Sequence, residues 1–141
     1  MAEFRADVIA EQRAISALTE RVAIYLAGCG VDARAAHHTA LVLDELLTNV
    51  AMHSETLEVP VSISLMVSAD RVSAEVVDHA AKFDPRAART PDPSASVEQR
   101  GIGGLGLLLV HRVTEGLAYE RAGELNRTTF SIARTLAEPR G

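Results

Sequence analysis

The sequence contains one cysteine, no tryptophan and no long apolar run, and its net charge is negative. Cys29 is the only cysteine among 141 residues, so no internal disulfide can form, and we expect a reducing, cytoplasmic location. Tryptophan is absent and aromatics make up 4%, so the core must be aliphatic. No apolar run approaches the ~20 residues that span a bilayer, and the N-terminus does not resemble a signal peptide. The net charge of −5 argues against a nucleic-acid-binding surface and against attraction to anionic membranes.

Length and periodicity predict a single domain over residues 1–141 that begins with two helices. Phe4 is a candidate start of an edge strand, and Asp7 is a candidate N-cap. Apolar residues then recur at helical spacing from Glu11 to a glycine-containing end at 28–30. Asp32 is a candidate cap for a second helix, which runs to about residue 53.

Alternating apolar residues predict two hairpins in the remainder of the chain. Residues 59–67 and 72–77 form the first, and residues 117–121 and 128–132 form the second, with a turn at 123–126. Residues 80–100 have no period and hold three of the five prolines, which predicts a long functional loop such as a lid. Gly116 is predicted to end the helix that precedes the second hairpin.

The second predicted helix carries a polar stripe inside an apolar segment. In residues 40–54, ALVLDELLTNVAMHS, leucine and valine recur every three or four positions and predict a buried face. Glu45, Asn49 and His53 lie four residues apart and therefore on one side of the helix. Two interpretations remain open: a polar border of the core, or a site that holds a cation and a charged ligand.

Residues 101–106, GIGGLG, place four glycines in six positions before an apolar helical segment. Glycine lets the backbone approach an anion closely, and the N–H groups at a helix start are free to bind phosphate. The run lacks the GxxxxGK[ST] pattern of a P-loop and does not open a βαβ unit. A plain loop-to-helix junction is the alternative interpretation.

Taken together and in this order, these segments resemble the GHKL family of ATP-binding proteins. That family includes sensor histidine kinases, gyrase B, the mismatch-repair ATPase and a heat-shock chaperone. In this sequence DELLTNVAMH resembles the N box of the family and VVDHAAKFDP resembles its aspartate box. The segment GIGGLGLLLV resembles the glycine-rich box, and YERAGELNRTTFSI resembles the closing hairpin. The nearest likeness is to bacterial anti-sigma-factor serine/threonine kinases. The resemblance implies an α/β (α+β) two-layer sandwich, the Bergerat fold, with helices on one face of a mixed, mostly antiparallel sheet.

The resemblance also implies a site for ATP and Mg²⁺. Asn49 would ligate Mg²⁺, Glu45 would be the general base for a substrate hydroxyl, and Asp78 would accept a hydrogen bond from the adenine amino group. The remaining residues that the resemblance assigns to the nucleotide site are His53, Ala80, Phe83, Arg100, Gly101, Gly103, Gly104, Leu105, Gly106 and Thr128.

Three of these positions have alternative interpretations. Ala80 stands where the family pattern has glycine, and its methyl group would crowd the adenine or restrict the turn. His53 would bond a phosphate or simply end the polar stripe. Arg100 would reach the γ-phosphate or lie solvated in its loop.

The resemblance implies a cytoplasmic serine/threonine kinase of a partner-switching module. Its substrate would be a STAS-domain anti-sigma-factor antagonist, its target a sigma factor or another regulatory protein, and a homodimer is expected. Ala80 motivates an alternative, a regulatory binding module with structural nucleotide or none. A detached histidine-kinase catalytic domain is disfavoured, because the N box contains an acid and no helical hairpin carries a phospho-acceptor histidine.

Overall fold

Three helices pack on one face of a five-stranded antiparallel sheet. The computed structural model describes residues 2–54, 58–87 and 104–135. The elements are, in chain order, β1 (Ala2–Ile9), α1 (Gln12–Gly28), α2 (Ala33–His53), β2 (Pro60–Val67), β3 (Arg71–Asp78), a 3₁₀ turn (Pro85–Ala87), α3 (Gly104–Val113), β4 (Glu115–Ala122) and β5 (Leu125–Ala133). The strand order is β1-β2-β3-β5-β4. The two-layer α+β prediction is confirmed. Within the described ranges every strand pair is antiparallel, so the expected parallel component is not found there.

Side-chain caps begin both long helices. The Glu11 carboxylate accepts two backbone N–H groups in the first turn of α1, and the Asp32 carboxylate accepts the N–H of Ala35 at 3.1 Å. The prediction of Asp7 as the first cap was wrong. Asp7 lies in β1, because strand alternation continues past it, and its carboxylate accepts the hydroxyl of Ser62 at 2.7 Å.

The core is aliphatic, as the composition predicted, and lies between the sheet and the helices. Every second residue of β2 and β3 faces the helices and is buried, which is the two-residue period of a strand. The largest fully buried side chains are Leu18, Leu26, Leu43, Leu47, Leu65, Ile132, Val22, Val42, Val61, Val72, Val76 and Val110. No helix in the described parts of the chain is long and apolar enough to cross a membrane.

The buried face of the sheet changes from apolar to polar toward one end. In β3 the inward residue Val76 is followed by Asp78, and in β5 the inward residues include Asn126 and Thr128. The strand register pairs Val76 with Thr128 and Asp78 with Asn126, so the polar side chains lie side by side. In the facing helix α2, the buried residue Asn49 lies within the apolar face. The buried polar groups of the sheet therefore lie at one end of it, where Leu46, Val50 and His53 of α2 face them across a cavity.

The last hairpin differs from its prediction in two places. The turn occupies only positions 123 and 124, and Asn126 lies inside β5 as a buried residue. Gly116 does not end the helix, which already stops at Val113. Instead Gly116 lies in β4 with φ of 61°, between Glu115 and Ala118, where the strand register shifts. Glycine adopts this backbone conformation readily, which suits a bulge.

Leu47→Ala is expected to lower the free energy of unfolding by about 2–5 kcal/mol, because the truncation leaves a cavity in a fully buried site. Met52→Ala is the matched control on the same helix, since Met52 is 51% exposed. Urea unfolding of both variants measures the difference. Equal losses in the two variants would contradict the proposed packing of α2.

Candidate functional site

Asp78 is a buried carboxylate held by two donors. It is 4% exposed, and its Oδ1 accepts the backbone N–H of Ala80 and the Nδ2 group of Asn126, both at 2.9 Å. A buried carboxylate requires such donors, because it has lost its hydration. Among the described residues both donors act on Oδ1, so Oδ2 is the atom through which Asp78 can accept a donor from a ligand.

Asn126 links Asp78 to the last hairpin and to the loop after β3. Its Nδ2 also donates to the backbone carbonyls of Ala80 at 3.0 Å and Ala81 at 3.2 Å. Its Oδ1 accepts hydrogen bonds from the hydroxyl of Tyr119 and, at 3.0 Å, from Nη1 of Arg121. Sequence reasoning missed this group, since Asn126 was assigned to a turn. Alternation along β5 would have placed it on the same side as Thr128.

A small cavity adjoins Asp78. Its described lining consists of Leu46, Val50, His53, Val76, Asp78, Ala80, Ala81, Phe83, Pro85, Asn126 and Thr128, so five of the predicted nucleotide-site residues meet there. The cavity volume is about 20 Å³, room for about one water molecule, whereas ligand pockets have about 300–1,000 Å³. The His53 and Phe83 rings stack at 4.1 Å between centroids and 16° between planes. Both rings therefore form part of the cavity wall, and a base could bind there only if the cavity widened.

Ala80 fits its turn without backbone strain. Glu58 is the only non-glycine residue with positive φ in the described ranges, so position 80 does not require glycine for its backbone conformation. The N–H of Ala80 donates to Asp78, and its buried methyl group forms part of the cavity wall. The expected restriction of the turn is therefore absent.

Glu45 lies directly against the first turn of α3. A Cβ added to Gly106 would overlap Oε2 and Cδ of Glu45 and would come within 2.8 Å of its Oε1. A side chain at position 106 would therefore displace the Glu45 carboxylate from its place beside the start of α3. The first turn of any helix carries N–H groups without intrahelical acceptors, so the carboxylate lies beside potential anion-binding donors.

The environment of Glu45 raises its pKa. Burial is the main cause, and the charge of neighbouring Asp44 adds to it. A carboxylate with a raised pKa is a better proton acceptor near neutral pH than an ordinary one. The position and the pKa of Glu45 therefore both suit a general base.

Asn49 lies one helical turn after Glu45 and is 3% exposed. Its Nδ2 donates to the backbone carbonyl of Glu45 at 2.7 Å, so its amide oxygen is the atom available as a ligand. Mg²⁺ prefers oxygen ligands and usually takes few from the protein, the others coming from phosphate and water. No group of three His, Cys, Asp or Glu residues that could hold a metal occurs in the described ranges. A single amide oxygen therefore fits Mg²⁺ brought with a phosphate ligand.

The remaining predicted residues fall partly outside the described ranges. Arg100, Gly101 and Gly103 lie outside them, whereas Gly104 and Leu105 begin α3. Asp84 bonds within its own turn, where Arg86 donates to it at 2.8 Å and lowers its pKa.

Glu45→Gln is expected to raise the free energy of unfolding at neutral pH. Because the pKa of Glu45 is raised on folding, stability falls as the pH rises from the ordinary value of 4.5 through the raised one. Glutamine removes this loss, so the advantage of the variant should disappear below pH 4.5. Urea unfolding at pH 4 and pH 7 tests this, with Asp44→Asn expected to give a smaller gain. A pH-independent difference would contradict the raised pKa.

Comparisons with known proteins show the family and the fold of this chain. The model of the family described as "Histidine kinase-like ATPase domain" matches residues 8–132. The serine/threonine-protein kinase BtrW of Bordetella bronchiseptica is 32% identical over 93 residues, which are 64% of this chain and 66% of the relative. In the crystal structure of the RsbU and RsbW domains of Rv1364c from Mycobacterium tuberculosis, a similar fold covers 96% of this chain and 34% of that one, with a TM-score of 0.67 and 13% identity. The chain thus spans just under two thirds of the curated relative. Since the family model covers most of the sequence, this chain belongs to the histidine kinase-like ATPase domain family.

Proposed function

We propose that this protein is a serine/threonine kinase that uses Mg-ATP. The observation that carries the proposal is the contact between the Glu45 carboxylate and Gly106, at the helix start that follows the glycine-rich run, which supports Glu45 as the proton acceptor. Phosphoryl transfer needs mainly positioning and neutralisation of charge, so one base and a set of phosphate donors are sufficient. The family and the name of the Bordetella relative both support this type of activity.

Each residue of the site has one role in the proposed reaction. The substrate hydroxyl oxygen forms a bond to the γ-phosphorus, the bond from that phosphorus to the β–γ bridging oxygen breaks, and ADP leaves. Glu45 accepts the hydroxyl proton. Backbone N–H groups at the start of α3 bind the phosphates, and Asp78 binds the adenine amino group. Asn49 would hold Mg²⁺, which neutralises the phosphate charge when bound.

The proposed protein substrate is a STAS-domain anti-sigma-factor antagonist. The proposed sequestered partner is a sigma factor or another regulatory target, and the proposed setting is the cytoplasm, with the kinase as a homodimer. This assignment is supported by the sequence resemblance to anti-sigma-factor kinases and by the fold shared with a chain that contains an RsbW domain.

The small size of the cavity beside Asp78 favours one second candidate function, a regulatory binding module without phosphoryl transfer. Its volume of about 20 Å³ is well below that of ligand pockets. If the cavity does not widen, the protein would bind its partner without nucleotide.

Calorimetric titration with ATP distinguishes the two functions. We expect binding that depends on Mg²⁺ and weakens at least tenfold in Asn49→Ala, since a lost contact to a charged group corresponds to roughly 1.5–3 kcal/mol. Met52→Ala, an exposed substitution on the same helix, should bind like the wild type. No heat of binding with the wild type would support the nucleotide-independent module instead.

Glu45→Gln is expected to bind ATP with unchanged affinity but to transfer phosphate roughly 10²–10⁴-fold more slowly, because it lacks the proton acceptor. The assay follows labelled γ-phosphate into purified STAS-domain antagonist proteins. Acid-stable phosphoserine or phosphothreonine supports the proposal, and acid-labile phosphohistidine would indicate a histidine kinase. Undiminished transfer by the variant would exclude Glu45 as the base.

A further inference from the structure

We infer that Asn126 is a positioning residue that makes Asp78 selective for a base with a 6-amino group. The inference rests on the proposed function, in which Asp78 binds adenine. It concerns a residue that contacts the carboxylate rather than the nucleotide.

Strand register brings the necessary groups into one row. Asn126 is the direct partner of Asp78 on β3 and of Arg121 on β4. The row therefore crosses three neighbouring strands, with the buried amide of Asn126 between a carboxylate and a guanidinium. Tyr119, two residues before Arg121, adds its hydroxyl to the same amide oxygen.

The neighbours of Asn126 permit only one orientation of its amide. On the nitrogen side lie three acceptors, which are Oδ1 of Asp78 and the carbonyls of Ala80 and Ala81. On the oxygen side lie two donors, from Tyr119 and Arg121. A flipped amide would face the three acceptors with its oxygen and the guanidinium of Arg121 with its N–H groups, so these neighbours hold Nδ2 toward Asp78, and the Tyr119 hydroxyl donates to Oδ1 in this orientation.

This orientation fixes the carboxylate as an acceptor for the ligand. Asn126 and the N–H of Ala80 together hold Oδ1, which prevents rotation of the carboxylate and directs ligand recognition to Oδ2. An ionised carboxylate can only accept hydrogen bonds. A base with an amino donor satisfies Oδ2, whereas a base without one leaves this oxygen of a buried carboxylate without a donor.

The test compares ATP with purine riboside 5′-triphosphate, which lacks only the 6-amino group. We expect the wild type to bind ATP roughly 10- to 100-fold more tightly, the range that follows from one hydrogen bond to a buried group. In Asn126→Leu only the N–H of Ala80 still holds Oδ1, so the carboxylate can rotate, and the preference should fall to within about threefold. A purely structural role for Asn126 would weaken both nucleotides equally and leave the ratio unchanged.

Two further variants make the result decisive. Tyr119→Phe removes a single donor from Oδ1 of Asn126 and should lower the preference at least about threefold, even if Asn126→Leu does not fold. Thr129 lies on the opposite face of β5 from Asn126 and Thr128. Thr129→Ala should therefore keep the wild-type ratio of the affinities for ATP and purine riboside 5′-triphosphate. If the ratio of the two affinities is unchanged in Tyr119→Phe and in any folded Asn126→Leu, this inference is overturned, but the proposed function is not. A wild type that binds no ATP would overturn the proposed function and this inference with it.

Discussion

The buried carboxylate of Asp78 determines which polar groups surround it at one end of the sheet. Asp78 ends β3 on the side that faces the helices, so donors must replace its lost water. One donor comes from the turn that follows, through the N–H of Ala80. The other comes from Asn126 on the neighbouring strand, whose amide is in turn held by Tyr119 and Arg121. The β4–β5 hairpin therefore belongs to the site as well as to the sheet.

Helix α2 carries the other residues of the candidate site. Glu45, Asn49 and His53 lie on successive turns of one helix, so the first and last are separated by about 12 Å along its axis. At one end of this stripe Glu45 meets α3, and at the other His53 meets Phe83. A single helix thus carries the proposed catalytic carboxylate near its middle and, at its C-terminal end, a residue that lines the proposed adenine pocket. Its buried leucines anchor that element to the sheet.

Local signals predicted the two long helices and the hairpins, because each is encoded by a period along the chain, whereas the two-layer architecture was predicted from the family resemblance. The stripe on α2 was also visible in the sequence, since its three residues share one helix. The role of Asn126 was not, because its partner Asp78 lies 48 residues away on a strand that becomes its neighbour only in the folded sheet. The cap of α1 was misassigned for a related reason. Asp7 is an ordinary cap residue by type, but strand pairing with β2 holds it in β1.

Because a side chain at position 106 would overlap Glu45, substitutions at these two positions depend on each other in evolution. A side chain can appear at 106 only if residue 45 shortens or turns away. A lineage that had lost the glutamate could then accept alanine at 106, since alanine favours a helix over glycine. A glutamate restored beside that alanine would have to turn its carboxylate away from the start of α3. The contact between residue 45 and α3 therefore depends on both positions, although they are 61 residues apart in the chain.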